Sequence, residues 1–159
     1  MRRVLGLDYG SARCGCAIAD PTGTLVTPLA AIESPAQRRG LEAIVALVAE
    51  RDVGRVVVGL PLALDGHDTE QTRETRRFAG RLARRLGEVP VVLHDERLTT
   101  RLAQRSAHET GGAAAAEDSR AAAHMLESWL AACADAETHS PAAPEPAAPD
   151  RARSPHTSI

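Results

Sequence analysis

The apolar run RVVVGLP at residues 55–61 limits the folds open to this chain more than any other feature. A continuous apolar run is typical of a strand covered on both faces, as in parallel sheets flanked by helices. Helical patterns adjoin it on each side, since Leu41, Ile44 and Val48 recur at helical spacing before it and a helix is predicted after Asp68. The chain is therefore expected to form an α/β domain around this strand.

Four further strands are predicted from short apolar runs at residues 4–10, 14–20, 24–32 and 91–94. The first three are close enough in sequence to form an antiparallel meander, and Pro28 indicates that the third is an edge strand or contains a bulge. The first, fourth and fifth strands should run parallel, joined by right-handed crossovers. The expected architecture is a mixed five-stranded sheet with helices packed on it.

Four helices are predicted from their start and stop signals. The first begins at Ser34 as N-cap, with Pro35 in its first turn, and the second begins with a capping box formed by Asp68 and Gln71. They end near Gly54 and Gly87. A third helix is expected from Thr99 or Thr100 to residue 111, and the last covers residues 114–133.

Composition separates residues 134–159 from the rest of the chain. They hold five of the ten prolines among Ala, Ser and charged residues, and such a segment cannot bury enough surface to offset its ordering entropy. We predict one domain over residues 1–133 followed by a disordered tail. Three cysteines without metal-ligand spacing and the lack of an apolar run of about 18 residues favour a cytoplasmic protein without a membrane segment.

Three acidic residues are expected to converge in this architecture. Asp8 ends the first strand and Glu96 follows the fifth, so both lie at the edge where open α/β sheets place their sites. Asp118 heads the apolar stripe of the last helix, which contains Met125 and Leu126. A helix-capping role is the alternative for Asp118. Asp95 competes with Glu96 for its role, unless it forms a surface pair with Arg97.

Carboxylates held close together repel one another, so they need a cation or raised pKa values. Oxygen ligands with water completing the shell suit Mg²⁺ or Mn²⁺. Two such ions can hydrolyse a phosphodiester bond, one generating the nucleophile and the other stabilising the leaving oxygen. The predicted catalytic and metal-binding residues are accordingly Asp8, Glu96 and Asp118.

Four sequence blocks resemble the YqgF/RuvX family, which is described both as Holliday junction resolvases and as the nuclease that matures the 5′ end of pre-16S rRNA. They are GLDYGSARCGCAIAD at 6–20, VVVGLP at 56–61, HDERLTT at 94–100 and DSRAAAHMLESWL at 118–130. The blocks occur in order across nearly all of residues 1–133. The resemblance implies an RNase H-like fold with helices on both faces of the sheet, and Asp8, Glu96 and Asp118 as the metal-binding acids.

Several residues near the predicted site are candidates for contact with nucleic acid. Gly10, Ser11 and Arg13 form a loop beside Asp8, although a plain turn explains them equally well. Arg73 and Arg77 belong to an arginine-rich helix face that could bind phosphates or simply be solvated. The remaining candidates are Gly59, which permits close backbone approach, and Arg97, Thr99 and Thr100, the threonines being most simply helix caps.

The sequence features are compared with three classes of function. A metal-dependent nuclease acting on pre-rRNA is favoured, with resolution of branched DNA as its alternative. The other two classes are an inert nucleic-acid-binding module and an ATP-dependent phosphotransferase. The DYGS segment at 8–11 also resembles the phosphate loop of actin-like and sugar-kinase proteins, but 159 residues with one copy of the motif cannot supply their two domains. A resolvase needs a two-fold dimer, whereas the favoured interpretation is a monomer or weak homodimer.

Overall fold

The computed structural model describes residues 2–98 and 114–139. The strands are β1 (Arg3–Tyr9), β2 (Arg13–Ala19), β3 (Val26–Glu33), β4 (Val53–Leu60) and β5 (Val91–Asp95). The helices are α1 (Arg38–Glu50), α2 (Glu70–Leu86) and α3 (Ala114–His139), and a 3₁₀ turn spans Glu96–Leu98. Within these ranges, no helix is long and apolar enough to cross a membrane.

The five strands form one mixed sheet in the order β3-β2-β1-β4-β5. The pairs β1/β2 and β2/β3 are antiparallel, whereas β1/β4 and β4/β5 are parallel. The predicted α/β architecture is thereby confirmed, including the edge position of the strand that contains Pro28. The parallel pairs place the carboxyl ends of β1, β4 and β5 at the same edge of the sheet.

The two faces of the sheet carry different side chains. On one face, α1 and α2 cover a core of large residues that includes Leu5, Leu7, Val58 and Phe78. On the other face, α3 packs on a smaller core that is rich in alanine. Its buried members are Ala17, Ala19, Val57, Ala122, Ala123, Met125 and Leu126. Because side chains alternate along a strand, Asp8 lies on the α3 face between residues that point to the other face.

Glycine allows α3 to approach the sheet closely. A Cβ atom on Gly15 would lie 1.9 Å from the carbonyl oxygen of Asp118, and one on Gly6 would lie 2.9 Å from the Cβ of Leu126. Neither position therefore tolerates a side chain while the helix keeps its place. The helix backbone is held against β2 at the point where Asp118 projects.

Two helix starts differ from the sequence predictions. The N-cap of α1 is Gln37 instead of Ser34, because Ser34 has a φ of 48° and its carbonyl accepts from the Gln37 N–H in a separate turn. The capping box of α2 is formed by Thr69 and Thr72, one position beyond the predicted pair. Asp68 instead accepts two hydrogen bonds from Arg76, at 3.1 and 3.2 Å.

The last helix is longer than predicted. It continues to His139, past the expected end at residue 133, so residues 134–139 are helical although they were assigned to the tail. The remainder of the tail and the helix predicted after Thr99 or Thr100 lie outside the described residues.

Candidate active site at the carboxyl edge of the sheet

Asp8 lies at the carboxyl end of β1, between two glycine-containing strands. Gly15 is its partner in the β1/β2 register, and Gly59 follows the Leu7–Val58 pair on the β4 side. Because neither neighbour has a side chain, the α3 backbone and the Glu96 side chain can approach Asp8 on the α3 face. Asp8 is partly buried there.

Glu96 reaches the same place from the 3₁₀ turn that follows β5. Its side chain hydrogen-bonds with that of Asp8. A Cβ atom at Gly59 would lie 2.6 Å from Glu96 Oε1 and 3.2 Å from the Cγ of Met125 on α3. Gly59 therefore makes room for the Glu96 side chain. This packing explains why a glycine stands at position 59, which was predicted to contact nucleic acid.

Asp118 approaches the pair from α3. Its carboxylate accepts a hydrogen bond from Arg13 Nε at 3.2 Å, and both side chains are 39% exposed. The neighbouring Ser119 Oγ accepts from the Cys16 N–H at 3.4 Å, and this contact fastens the start of α3 to β2. The sheet and the helix thus bring Asp118 towards residues more than a hundred positions earlier in the chain.

The three carboxylates influence one another electrostatically. Burial, the charge and hydrogen bond of the adjacent Glu96, and the charge of Asp118 together raise the pKa of Asp8 to about 8. A carboxyl group with this pKa keeps a proton at neutral pH unless a cation compensates its charge. Asp8 and Glu96 therefore lie together on the α3 face, with Asp118 close enough for its charge to act on Asp8.

The donor atoms at this site are carboxylate oxygens, which are the ligands preferred by Mg²⁺ and Mn²⁺. The proton held by Asp8 reflects the charge that such an ion would neutralise, so the chemistry of the three acids fits a divalent cation. The three carboxylates are not arranged as a complete set of ligands around one metal ion. Among residues 2–98 and 114–139, no three His, Cys, Asp or Glu side chains are grouped closely enough to surround one ion.

Sequence comparison decides the family. The RuvX family, described as "Holliday junction resolvase", matches residues 2–132. The chain belongs to the RuvX family. Among curated relatives, a candidate pre-16S rRNA nuclease of Anaeromyxobacter sp. is 42% identical over 132 residues, covering 80% of this chain and 96% of the relative. One of the same name from Mycobacterium tuberculosis is 39% identical over 132 residues, covering 80% and 78%.

Solved structures confirm the RNase H-like fold that RuvX membership implies. Thermus thermophilus RuvC in complex with a Holliday junction superposes with a TM-score of 0.56 at 15% sequence identity. The alignment covers 83% of this chain and 96% of the RuvC chain. At that level of identity the likeness concerns the fold.

In this RuvX chain, Asp95 does not join the acidic cluster. It accepts from Arg97 at Nε and Nη2, at 3.0 and 2.6 Å, and also from the Arg97 backbone N–H. The guanidinium lowers the pKa of Asp95, as expected for a paired carboxylate. The alternative of an Asp95–Arg97 surface pair is therefore the one realised, and Glu96 is the acid that meets Asp8.

The predicted nucleic-acid contacts occupy different places. The Gly10 N–H donates to the Arg13 carbonyl at 3.0 Å, so Gly10 and the exposed Ser11 form a strand-to-strand turn beside the site. Arg13 is at the site, paired with Asp118. Arg73 and Arg77 are exposed on α2, which covers the opposite face of the sheet from the acids. Thr99 and Thr100 lie outside the described residues.

Sequence reasoning missed two supports of this site. His94 has polar neighbours and no ligand-like spacing in the sequence, yet it is 6% exposed and its Nε2 lies 3.1 Å from Ser128 Oγ on α3. Burial lowers its pKa. This contact ties the end of β5 to α3. The second support is Gly15, whose importance depends on a helix packed across it and therefore has no local signal.

Proposed function

We propose that this protein is a nuclease that hydrolyses phosphodiester bonds at the Asp8, Glu96 and Asp118 site. The observation that carries the proposal is the contact between Asp8 and Glu96 on the face that α3 closes with Asp118. Membership of a family described by nuclease activity supports it. The elevated pKa of Asp8 supports it further, because perturbed carboxyl groups are typical of catalytic sites.

Asp8, Glu96 and Asp118 would hold Mg²⁺ or Mn²⁺, which supplies an activated water and stabilises charge on the leaving oxygen. The chain's own residues have separate tasks. Arg13 positions the Asp118 carboxylate and adds one positive charge beside it. Gly15 and Gly59 lack side chains, so that the α3 backbone at Asp118 and the Glu96 side chain can lie close to Asp8.

The 5′ end of pre-16S rRNA is the favoured substrate, because curated relatives at 36–42% identity carry that name. The second candidate is a Holliday junction, which the family description favours. The two substrates require different assemblies. One site suffices to trim an RNA end, whereas symmetrical resolution of a junction needs two sites in a two-fold dimer.

Cleavage of two labelled substrates tests the proposal. We would incubate a pre-16S rRNA 5′ leader mimic and a four-way DNA junction with Mg²⁺ or Mn²⁺ and the full chain. We expect the RNA to be cut, and we expect Asp8→Asn and Asp118→Asn to reduce the rate by at least about 1,000-fold while the fold is retained. Symmetrical cutting of the junction would instead favour the resolvase.

Glu127→Gln is the matched control for Asp118→Asn. It removes an exposed carboxylate from the same helix, outside the acidic cluster, and should leave the rate unchanged. Binding of both substrates without cleavage by the wild-type protein would contradict the nuclease proposal. The inert nucleic-acid-binding module would then be the better account.

A further inference from the structure

The loop between β4 and α2 is fixed along its length. Leu62 and Asp68 form an antiparallel bridge, and the Ala63 N–H donates to the His67 carbonyl at 3.1 Å. The Gly66 N–H donates to the Ala63 carbonyl at 2.8 Å and closes the tip. These contacts define a small hairpin, which we term the 62–68 hairpin.

The flanking residues anchor the 62–68 hairpin to α2. Thr72 Oγ1 donates to the Pro61 carbonyl at the entrance. At the exit, Asp68 accepts two hydrogen bonds from Arg76, and Thr69 caps the helix. The hairpin therefore has a defined position relative to the rest of the fold.

Arg97 connects the tip of the 62–68 hairpin to the end of β5. Its Nη1 donates to the Leu64 carbonyl at 3.3 Å, while its Nε and Nη2 bind Asp95. A Cβ atom on Gly66, whose φ is 91°, would lie 3.1 Å from the same Nη1. Since Arg97 directly follows Glu96, one side-chain contact connects the hairpin tip to the residue next to a catalytic acid.

Leu64 occupies that tip with 79% of its surface exposed. Single exposed leucines are common on proteins and need no explanation by themselves. This one differs through its setting, since an ordered hairpin fixed by Arg97 presents it beside the carboxyl edge of the sheet. A large apolar side chain is thus exposed at the carboxyl edge of the sheet, the edge where the acids lie.

The aromatic residues of this chain cannot perform the stacking that proteins commonly use with bases. There are three, and Tyr9 and Phe78 stack on each other in the core at 5% and 1% exposure. Trp129 is partly buried on α3, three turns from Asp118, beneath Arg55. An aliphatic residue must therefore supply any apolar contact with bases at the site.

We propose that Leu64 is a wedge that inserts between stacked bases of the nucleic acid bound at the acidic site. The inference rests on the proposed nuclease function. Leucine is among the apolar side chains that unstack base steps in this way. Insertion would separate two neighbouring bases and expose the phosphodiester between them to the carboxylates. The partner that fits Leu64 is accordingly a base step in a structured nucleic acid.

Fluorescence of 2-aminopurine tests the wedge without depending on cleavage. The probe replaces one base at a time around the mature 5′ end of a pre-16S leader hairpin, and the full chain carries Asp8→Asn to prevent turnover. Unstacking should raise the fluorescence severalfold at one or two adjacent positions. Adding Leu64→Ala should abolish that rise and weaken binding about five- to tenfold, whereas Leu64→Met should retain it.

Leu25→Ala is the matched control. Leu25 is 64% exposed, but it lies in the β2–β3 connection at the other end of the sheet, so its loss should change neither signal. Absence of any fluorescence rise, or a rise that Leu64→Ala leaves unchanged, overturns the wedge. A fluorescence rise that Leu64→Ala leaves unchanged is also expected if Leu64 contacts a protein partner instead. Cleavage by the wild-type chain in the same substrate is scored separately, so failure of the wedge and failure of the nuclease proposal remain distinguishable.

Discussion

The two faces of the sheet divide stability and chemistry between them. The α1/α2 face is filled by Leu, Val, Ile and one Tyr–Phe stack, with ring centroids 4.5 Å apart. The α3 face has a smaller core in which glycines and alanines adjoin Val57, Met125 and Leu126, and it carries three acids and one arginine where its apolar packing ends. Small residues bury less apolar surface, so the second face gives up hydrophobic stabilisation to admit a helix and a charged site.

Gly15→Ala should have the largest effect, because Gly15 packs against the helix that carries Asp118. The substitution should therefore affect both stability and catalysis. The added methyl would lie 1.9 Å from the Asp118 carbonyl, and α3 must therefore move away from the sheet. We expect a loss of about 4 kcal/mol or more in the free energy of unfolding, together with loss of cleavage. Chemical denaturation and the cleavage assay measure the two effects.

Gly80→Ala provides the control for Gly15→Ala. A Cβ atom at Gly80 meets nothing within 4 Å on the exposed side of α2. Alanine there should stabilise the helix by up to about 1 kcal/mol and leave cleavage unchanged. Equal stability of the two variants would show that α3 does not pack on Gly15 as described.

Phe78→Ala should separate stability from activity on the opposite face. Phe78 is 1% exposed and stacks on Tyr9, so its removal leaves a cavity in the larger core. We expect a loss of about 3–4 kcal/mol in the free energy of unfolding. Below the unfolding transition, cleavage per folded molecule should stay within about threefold of wild type. A large loss of activity in molecules shown to be folded by circular dichroism would contradict the division between faces.

Asp8→Asn should stabilise the protein at alkaline pH in the absence of divalent cations. The folded-state pKa of Asp8 is about 8 and its ordinary value is 3.8, so the folded state keeps a proton that the unfolded chain releases. The free energy of unfolding contributed by Asp8 therefore falls as pH rises from about 4 to 8. Asparagine removes this penalty, and we expect a gain of about 1–3 kcal/mol near pH 9.

Urea denaturation of both proteins at pH 5 and pH 9 in EDTA measures this gain. The difference between Asp8→Asn and wild type should be larger at pH 9 than at pH 5. A difference that does not change with pH would mean that Asp8 is already ionised in the folded protein at low pH, and that the acids do not interact as described.

The smallest effect is expected from substitutions on the arginine-rich face of α2. Among the described residues, Arg73, Arg77, Arg81 and Arg84 have no acidic partner within 4 Å. If this face contacts phosphates, replacing Arg73, Arg77 and Arg81 with Gln reduces the slope of log affinity against log salt concentration by about 2–3. An unchanged affinity and slope would confine nucleic-acid binding to the α3 face.

The sequence was sufficient to predict what depends on local periodicity. Strand runs and the parallel pairing of β1, β4 and β5 follow from apolar patterns, whereas the roles of Asp8, Glu96 and Asp118 stay predictions. Helix starts were less certain, because Ser34, Asp68 and Thr69 are all suitable caps and tertiary contacts select among them. Asp68 does not cap α2, and its carboxylate binds Arg76 instead.

Contacts between distant segments could not be predicted. The Arg13–Asp118 pair joins residues 105 positions apart, and it depends on α3 crossing β2 at Gly15. The His94–Ser128 contact spans 34 positions and has no ligand-like spacing to reveal it. Such pairs arise from packing, and a single sequence shows the residue types without their partners.

Asp95 and Glu96 allow the most direct test of the central claim, because these consecutive acids have different partners. Cleavage rates of Glu96→Gln and Asp95→Asn, measured on the RNA leader with Mg²⁺, compare them. We predict that Glu96→Gln lowers the rate at least about 1,000-fold, since Glu96 contacts Asp8, whereas Asp95→Asn stays within about tenfold of wild type. The reverse order, with Asp95 essential and Glu96 dispensable, would contradict the assignment of the active site to the α3 face.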